Sequence, residues 1–207
     1  MGEIATPRFV ARPTADPPWP GVVVIHEGNG MGWQLLRVCE RLAGEGYLAI
    51  APDFFHRAAG GAGDWQQVIA KLGRDELLPD LREAAALLRE RGTARVGITG
   101  FCMGGRVSYL AATSGIDVQA AAPFYGGGME RMLGEIGCPL LALFGGRDEY
   151  VPPPAVEAVR ARHGAENVLV YPEAGHGFMR DGSESYHEPS ARDAWSRLLA
   201  FFAKHLG

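Results

Sequence analysis

Short, continuously apolar runs alternate along this chain with longer amphipathic stretches. Val22-Val23-Val24-Ile25 is β-branched and apolar without a break, the pattern of a strand buried on both faces. Residues 47–51, 95–100, 118–125, 140–144 and 168–171 repeat that pattern, and residues 8–12 predict a short first strand. Between them, Leu35, Leu36, Val38, Cys39 and Leu42 fall at helical spacing, ended by Gly44 and Gly46. Residues 75–91 give the clearest helix, with Leu77, Leu78, Leu81, Ala84, Ala85 and Leu88 on one face. Pro79 falls about its first turn, where proline is tolerated. Helices over about 104–113, 155–162 and 190–205 follow, the last with Trp195, Leu198, Leu199 and Phe202 turned inward. Strands alternating with helices predict an α/β fold, a mostly parallel central sheet with helices on both faces. Residues 53–73 break the rhythm: Gly60, Gly61 and Gly63 loosen the chain before a short helix at 65–72. That segment is a candidate lid or cap over a pocket.

Length and composition narrow the picture. With 207 residues and no internal repeat or linker, residues 1–207 are read as one domain. A chain of this size buries roughly 70% of its unfolded surface and needs no metal or disulfide staple. A net charge of −4 with no long basic run argues against nucleic acid or an anionic membrane as partner. No apolar run approaches the ~20 residues of a membrane span, and Met1 to Val10 lacks the apolar centre of a signal peptide. Met1-Gly2-Glu3-Ile4-Ala5-Thr6 fits the myristoylation pattern in form, but beside Pro7 so short a match is read as coincidence. Three cysteines, Cys39, Cys102 and Cys138, with no C-x-x-C pair, suit a reducing compartment, so the cytoplasm is expected. Cys39 and Cys138 read as small core hydrophobes.

Cys102 is different. Gly100-Phe101-Cys102-Met103-Gly104-Gly105 ends a predicted strand and opens a helix, so G-x-C-x-G reads as a nucleophile elbow with sulfur in place of oxygen. The glycines are needed because the turn is strained and packs backbone against backbone. In an open parallel sheet, functional residues gather at the carboxyl ends of strands. Glu27, Cys102, Asp148 and His176 all fall there, and nucleophile, acid, histidine is the α/β-hydrolase chain order. A free thiol of pKa ~8.5 needs a base or a cationic neighbour at neutral pH. His176 can be that base and later an acid, with Asp148 fixing its tautomer. The Met103 N–H is one oxyanion donor, and the loop after Glu27, through Gly28, supplies the second, each worth roughly 3 kcal/mol of barrier. Glu27 is a carboxylate placed to accept the Cys102 proton.

His26-Glu27, Gly-Phe-Cys-Met-Gly-Gly at 100–105, Gly-Gly-Arg-Asp at 145–148 and Ala-Gly-His-Gly-Phe at 174–178 together resemble the dienelactone hydrolase family, across nearly the whole chain. The resemblance implies an α/β-hydrolase fold, no cofactor or metal, and a Cys-His-Asp triad cleaving a small ester or lactone through a thioester. It matches Glu27 to an additional glutamate that pairs with the resting thiol and takes its proton when substrate binds. It matches Arg180 to an arginine holding a substrate carboxylate, and Phe124-Tyr125 to an aromatic pair lining that pocket. A second carboxylate-binding arginine is expected before the long helix. Gly63 to Gln67 offers none in register, and Arg57 is the nearby candidate, ahead of Arg74. The expectation is therefore ester or lactone cleavage in general, on substrates that can bear a carboxylate.

Two other classes compete. A noncatalytic binding protein on the same fold would carry these residues without assembling them. A dinucleotide-binding βαβ unit is imitated by Gly28-Asn29-Gly30-Met31-Gly32, but Trp33 stands where G-x-G-x-x-G needs glycine, and Glu27 would repel a pyrophosphate. His26-Glu27 lacks the second histidine of H-E-x-x-H, so a metallohydrolase is not expected.

Overall fold

A computed structural model describes residues 8–56 and 74–207. Seven strands form one sheet: β1 (Arg8–Ala11), β2 (Gly21–Ile25), β3 (Leu48–Pro52), β4 (Val96–Phe101), β5 (Ala120–Phe124), β6 (Ala142–Gly145) and β7 (Val168–Tyr171), in the order β1-β3-β2-β4-β5-β6-β7. Only β1 runs antiparallel to its neighbour β3; every other pair is parallel. The described helices are α1 (Trp33–Gly44), α2 (Arg74–Glu90), α3 (Met103–Ala112), α4 (Pro153–His163) and α5 (Glu188–Leu206). This is the α/β-hydrolase architecture expected from the alternation of apolar runs.

The two faces of the sheet bury separate cores. Alternate residues of one strand point to opposite faces, so Val23 and Ile25 join one core while Val22 and Val24 join the other. The first core takes α2, α3 and α4, with Leu77, Leu78, Leu81, Ala84, Ala85 and Leu88 all buried as the helical spacing predicts. The second takes α1 and α5 through Leu35, Cys39, Leu42, Trp195, Leu198 and Phe202. Leu199, expected inward, is only half-buried. Pro79 lies inside α2 as the sixth of its residues in Arg74–Glu90, just past the first turn about which it was expected.

The strand order reverses direction between β2 and β4. The chain leaves β2 toward β3 on one side, then returns through α2 to β4 on the other. That reversal opens a crevice at the carboxyl ends of β2 and β4, where Glu27 and Cys102 stand. Residues 53–56 form a turn closing β3, with Asp53 Oδ1 accepting the Phe55 N–H at 2.9 Å. The rest of the candidate lid, including the expected helix at 65–72 and Arg57, lies outside the described residues.

Candidate active site

Cys102 sits between β4 and α3 with φ 55° and ψ −114°, a backbone conformation that L-residues rarely adopt. Two missing side chains allow it. A Cβ on Gly104 would lie 2.3 Å from the Ile25 carbonyl oxygen, and one on Gly100 would lie 2.3 Å from the Gly104 oxygen. The Cys102 N–H donates to the Phe124 carbonyl at 3.1 Å, tying the elbow to β5. Met103 opens α3, and the first N–H groups of a helix have no partner within it.

Asp148 and His176 meet as their order in the chain suggested. His176 Nδ1 donates to Asp148 Oδ2 at 2.8 Å. The other Asp148 oxygen accepts the N–H groups of Tyr150 at 2.8 Å and Val151 at 3.0 Å, so the buried carboxylate has little freedom to turn. With Nδ1 committed, Nε2 is the nitrogen left for Cys102, whose side chain is near enough to raise the His176 pKa. Burial lowers the His176 pKa, but the bond to Asp148 and the neighbouring Cys102 outweigh it and raise the value to about 9. An imidazole so placed can exchange a proton with the sulfur.

Glu27 follows β2 and is held on both carboxylate oxygens. Arg180 approaches Oε2 through Nε at 2.9 Å and Nη2 at 2.5 Å. The Tyr125 hydroxyl donates to Oε1 at 3.3 Å. Burial, and then the Glu27 charge, push the Tyr125 phenol well above its usual pKa, so it acts as a neutral donor. Burial works against the Arg180 charge, and Glu27 more than restores it. Cys102 acts electrostatically on both Tyr125 and Arg180, which joins it to the Glu27–Arg180 pair in one unit.

A cleft of about 590 Å³, counting its open mouth, reaches this unit from the α1 side. Glu27, Tyr125, Phe101, Arg180 and Met179 line it, with Trp33, Arg37, Val38 and Arg41 from α1. Phe124, expected in the lining, is instead fully buried and packs on Phe101, Tyr125 and Phe178. The turn at the strand end explains the difference: Phe124 ends the regular strand, whereas Tyr125 leaves it with φ 37° and reaches Glu27.

Several groups here escaped the sequence reading. The φ of Tyr125 has no glycine to announce it. Arg37 and Arg41, one turn apart on α1, add cations to the cleft; Arg37 pairs with Asp181 at 3.0 Å and Arg41 lies over the Trp195 ring at 3.8 Å. Their i, i+4 spacing was the available signal. Tyr150 is 76% exposed, yet its ring centroid is 4.9 Å from that of His176. Burial pushes the other two thiols up, Cys39 to about 12 and Cys138 to about 11. Among the described residues no cluster of three or more His, Cys, Asp or Glu is arranged to hold a metal ion, and no helix is long and apolar enough to cross a membrane.

Comparison with known proteins agrees with this fold. The model of the dienelactone hydrolase family matches residues 7–206. A Salmonella typhimurium protein named "Putative carboxymethylenebutenolidase" is 35% identical over 230 aligned positions, covering 97% of this chain and 83% of that one. A crystal structure from Klebsiella pneumoniae, described as a "putative dienelactone hydrolase", superposes with a TM-score of 0.89 at 35% identity, covering 97% and 93% of the two chains. A dienelactone hydrolase-like promiscuous phosphotriesterase from metagenomic libraries shares the fold at 24% identity, with a TM-score of 0.74 over 98% of this chain and 100% of that one.

Proposed function

Because the chain belongs to the dienelactone hydrolase family, we propose that it hydrolyses a small ester or lactone through a thioester on Cys102. The observation that carries this reading is the 2.8 Å bond from His176 to Asp148, with Cys102 held at a left-handed elbow near enough to raise the His176 pKa.

In the proposed cycle, Cys102 Sγ attacks the carbonyl carbon as its proton passes to His176 Nε2. The oxyanion forms between the N–H groups of Met103 and Gly28. Collapse breaks the ester C–O bond, and His176 returns the proton to the leaving oxygen. Water then attacks the thioester, His176 takes its proton, and release of the acid regenerates the thiol. Acid and alcohol are the only net products, and no metal or cofactor is called for.

Arg180 and Glu27 tune this chemistry to the substrate's charge. A substrate carboxylate competes with Glu27 for the Arg180 fork. Once released, Glu27 is a second acceptor for the Cys102 proton. The cytoplasm remains the proposed location, with a small molecule as the partner.

The test is a screen of small lactones and aryl esters, with and without a carboxylate, on the wild type and Cys102→Ala. Turnover is expected to vanish in the variant, and rapid quenching of the wild type should trap an acyl adduct on the Cys102 peptide. Wild-type turnover by Cys102→Ala across the screen would leave the noncatalytic or non-thiol readings standing.

A further inference from the structure

We infer that His26 is a positioning residue for the oxyanion hole, acting through the Glu27–Gly28 peptide; this rests on the reading of Gly28 N–H as an oxyanion donor. His26 is wholly buried, its ring packed against Phe54 and Phe55 at centroid distances of 5.7 and 4.7 Å. The Phe54 N–H donates to Nε2 at 3.1 Å, so Nε2 carries the lone pair and Nδ1 the proton. Nδ1 then donates to the carbonyl oxygen of Glu27 at 2.7 Å. Burial lowers the His26 pKa, against smaller opposing effects of that bond and of Asp53, which favours this neutral tautomer.

The Glu27 carbonyl and the Gly28 N–H belong to one peptide unit. In a planar trans peptide they point in opposite directions, so whatever grips the oxygen also aims the N–H. Two donors grip it: His26 Nδ1, and the Gly30 N–H at 3.0 Å. The Gly30 bond is internal to a glycine-rich turn whose Asn29 is exposed. The His26 bond instead anchors the oxygen to the end of β2 and, through Phe54, to the turn that closes β3. The Gly28 N–H itself is buried and has no backbone acceptor among the described residues. A flip of this peptide would put a carbonyl where the donor is needed, and His26 opposes the flip.

The experiment measures kcat and KM for a neutral aryl acetate in His26→Phe, His26→Asn and His26→Gln. In parallel it follows the rate at which iodoacetamide alkylates Cys102, read on the Cys102 peptide. Alkylation develops no oxyanion, so it reports the thiol without the hole. His26→Phe is expected to lose about 10- to 100-fold in kcat, less than deletion of a whole donor, with KM within about threefold and alkylation unchanged. His26→Asn places an N–H near the Nδ1 position and should recover most of kcat. His26→Gln keeps an acceptor within reach of Phe54 but withdraws the donor from Glu27, so it should resemble Phe in kcat. If His26→Phe does not fold, the Asn and Gln pair decides: equal kcat in both overturns the inference. A parallel fall of alkylation and kcat also overturns it, because the defect would then lie in the thiol. Loss of turnover in Cys102→Ala with unchanged kcat in folded His26 variants sinks this inference alone. Retained turnover in Cys102→Ala sinks the thioester reading as well.

Discussion

Arg180 grips Glu27 with two nitrogens on one carboxylate oxygen, at 2.9 and 2.5 Å, while Tyr125 takes the other oxygen at 3.3 Å. The cation best placed to receive an anionic substrate thus already holds an anion of the chain itself. Any substrate carboxylate must displace Glu27 before it can bind there.

Replacing Arg180 by Ala should therefore separate substrates by charge. Bonds to charged groups are worth about 1.5–3 kcal/mol, so KM for carboxylate-bearing esters is expected to rise about 10- to 100-fold. Neutral esters of the same size should change little in KM. Steady-state kinetics on a matched pair of substrates checks this, and an equal rise for both would remove the anion-binding role.

The raised pKa of His176, about 9, makes two pH statements. Burial alone would lower it, so the elevation depends on Asp148 and Cys102. For folding, a value above the usual 6.5 means that the contribution of His176 is complete below pH 6.5 and is lost as pH rises through about 9. For the proposed catalysis, His176 must be neutral to take the Cys102 proton, so kcat/KM should rise with pH toward about 9. An NMR titration of the His176 ring is expected to give a midpoint near 9, moving toward 6.5 in Asp148→Asn. The rise of kcat/KM should move to lower pH with it. An unmoved midpoint would mean that Asp148 does not hold the proton in place.

Gly104→Ala tests the elbow. Its Cβ would meet the Ile25 oxygen at 2.3 Å and the His26 oxygen at 2.7 Å, both backbone atoms that cannot swing aside. Overpacking of this kind costs roughly 1–3 kcal/mol or more, which for a domain of this size lowers Tm by about 2–12 °C. Thermal unfolding measures the loss, and turnover should fall further than stability because the Cys102 backbone is displaced.

Phe202→Ala is the complementary case. The ring is fully buried between α5 and the sheet, beside Gly97 near the amino end of β4 and away from Cys102. A cavity there should cost about 3–5 kcal/mol with kcat/KM unchanged at temperatures where the variant stays folded. Calorimetry together with an ester assay separates the two quantities.

Periodicity carried most of the architecture, because strands buried on both faces, such as Val22 to Ile25, have almost no alternative reading. Element ends were harder. Residues 118–125 read as one strand, but regular pairing in β5 stops at Phe124, and the left-handed turn at Tyr125 is imposed by neighbours rather than by its own preference. The elbow was legible because its glycines are a steric requirement written directly in residue type. Phe124 was misplaced for the opposite reason: two adjacent aromatics look alike in sequence, and only the turn after Phe124 decides which one reaches the cleft. The grip of Arg180 on Glu27 was beyond reach, since the two lie 153 positions apart. His26 stood in plain view beside Glu27, yet its bond to the next peptide depends on the buried Phe54 backbone.

The backbone at the elbow is shaped by what its neighbours lack, not by what Cys102 carries. Gly100 and Gly104 supply the space, and the Cys102 N–H supplies the anchor to Phe124. None of these contacts reads the side chain at 102. The scaffold is therefore indifferent to whether sulfur or oxygen stands there, and a serine could occupy the position without rebuilding the turn. In such a fold the side chain at 102 is interchangeable, while the two glycines that shape its turn are not.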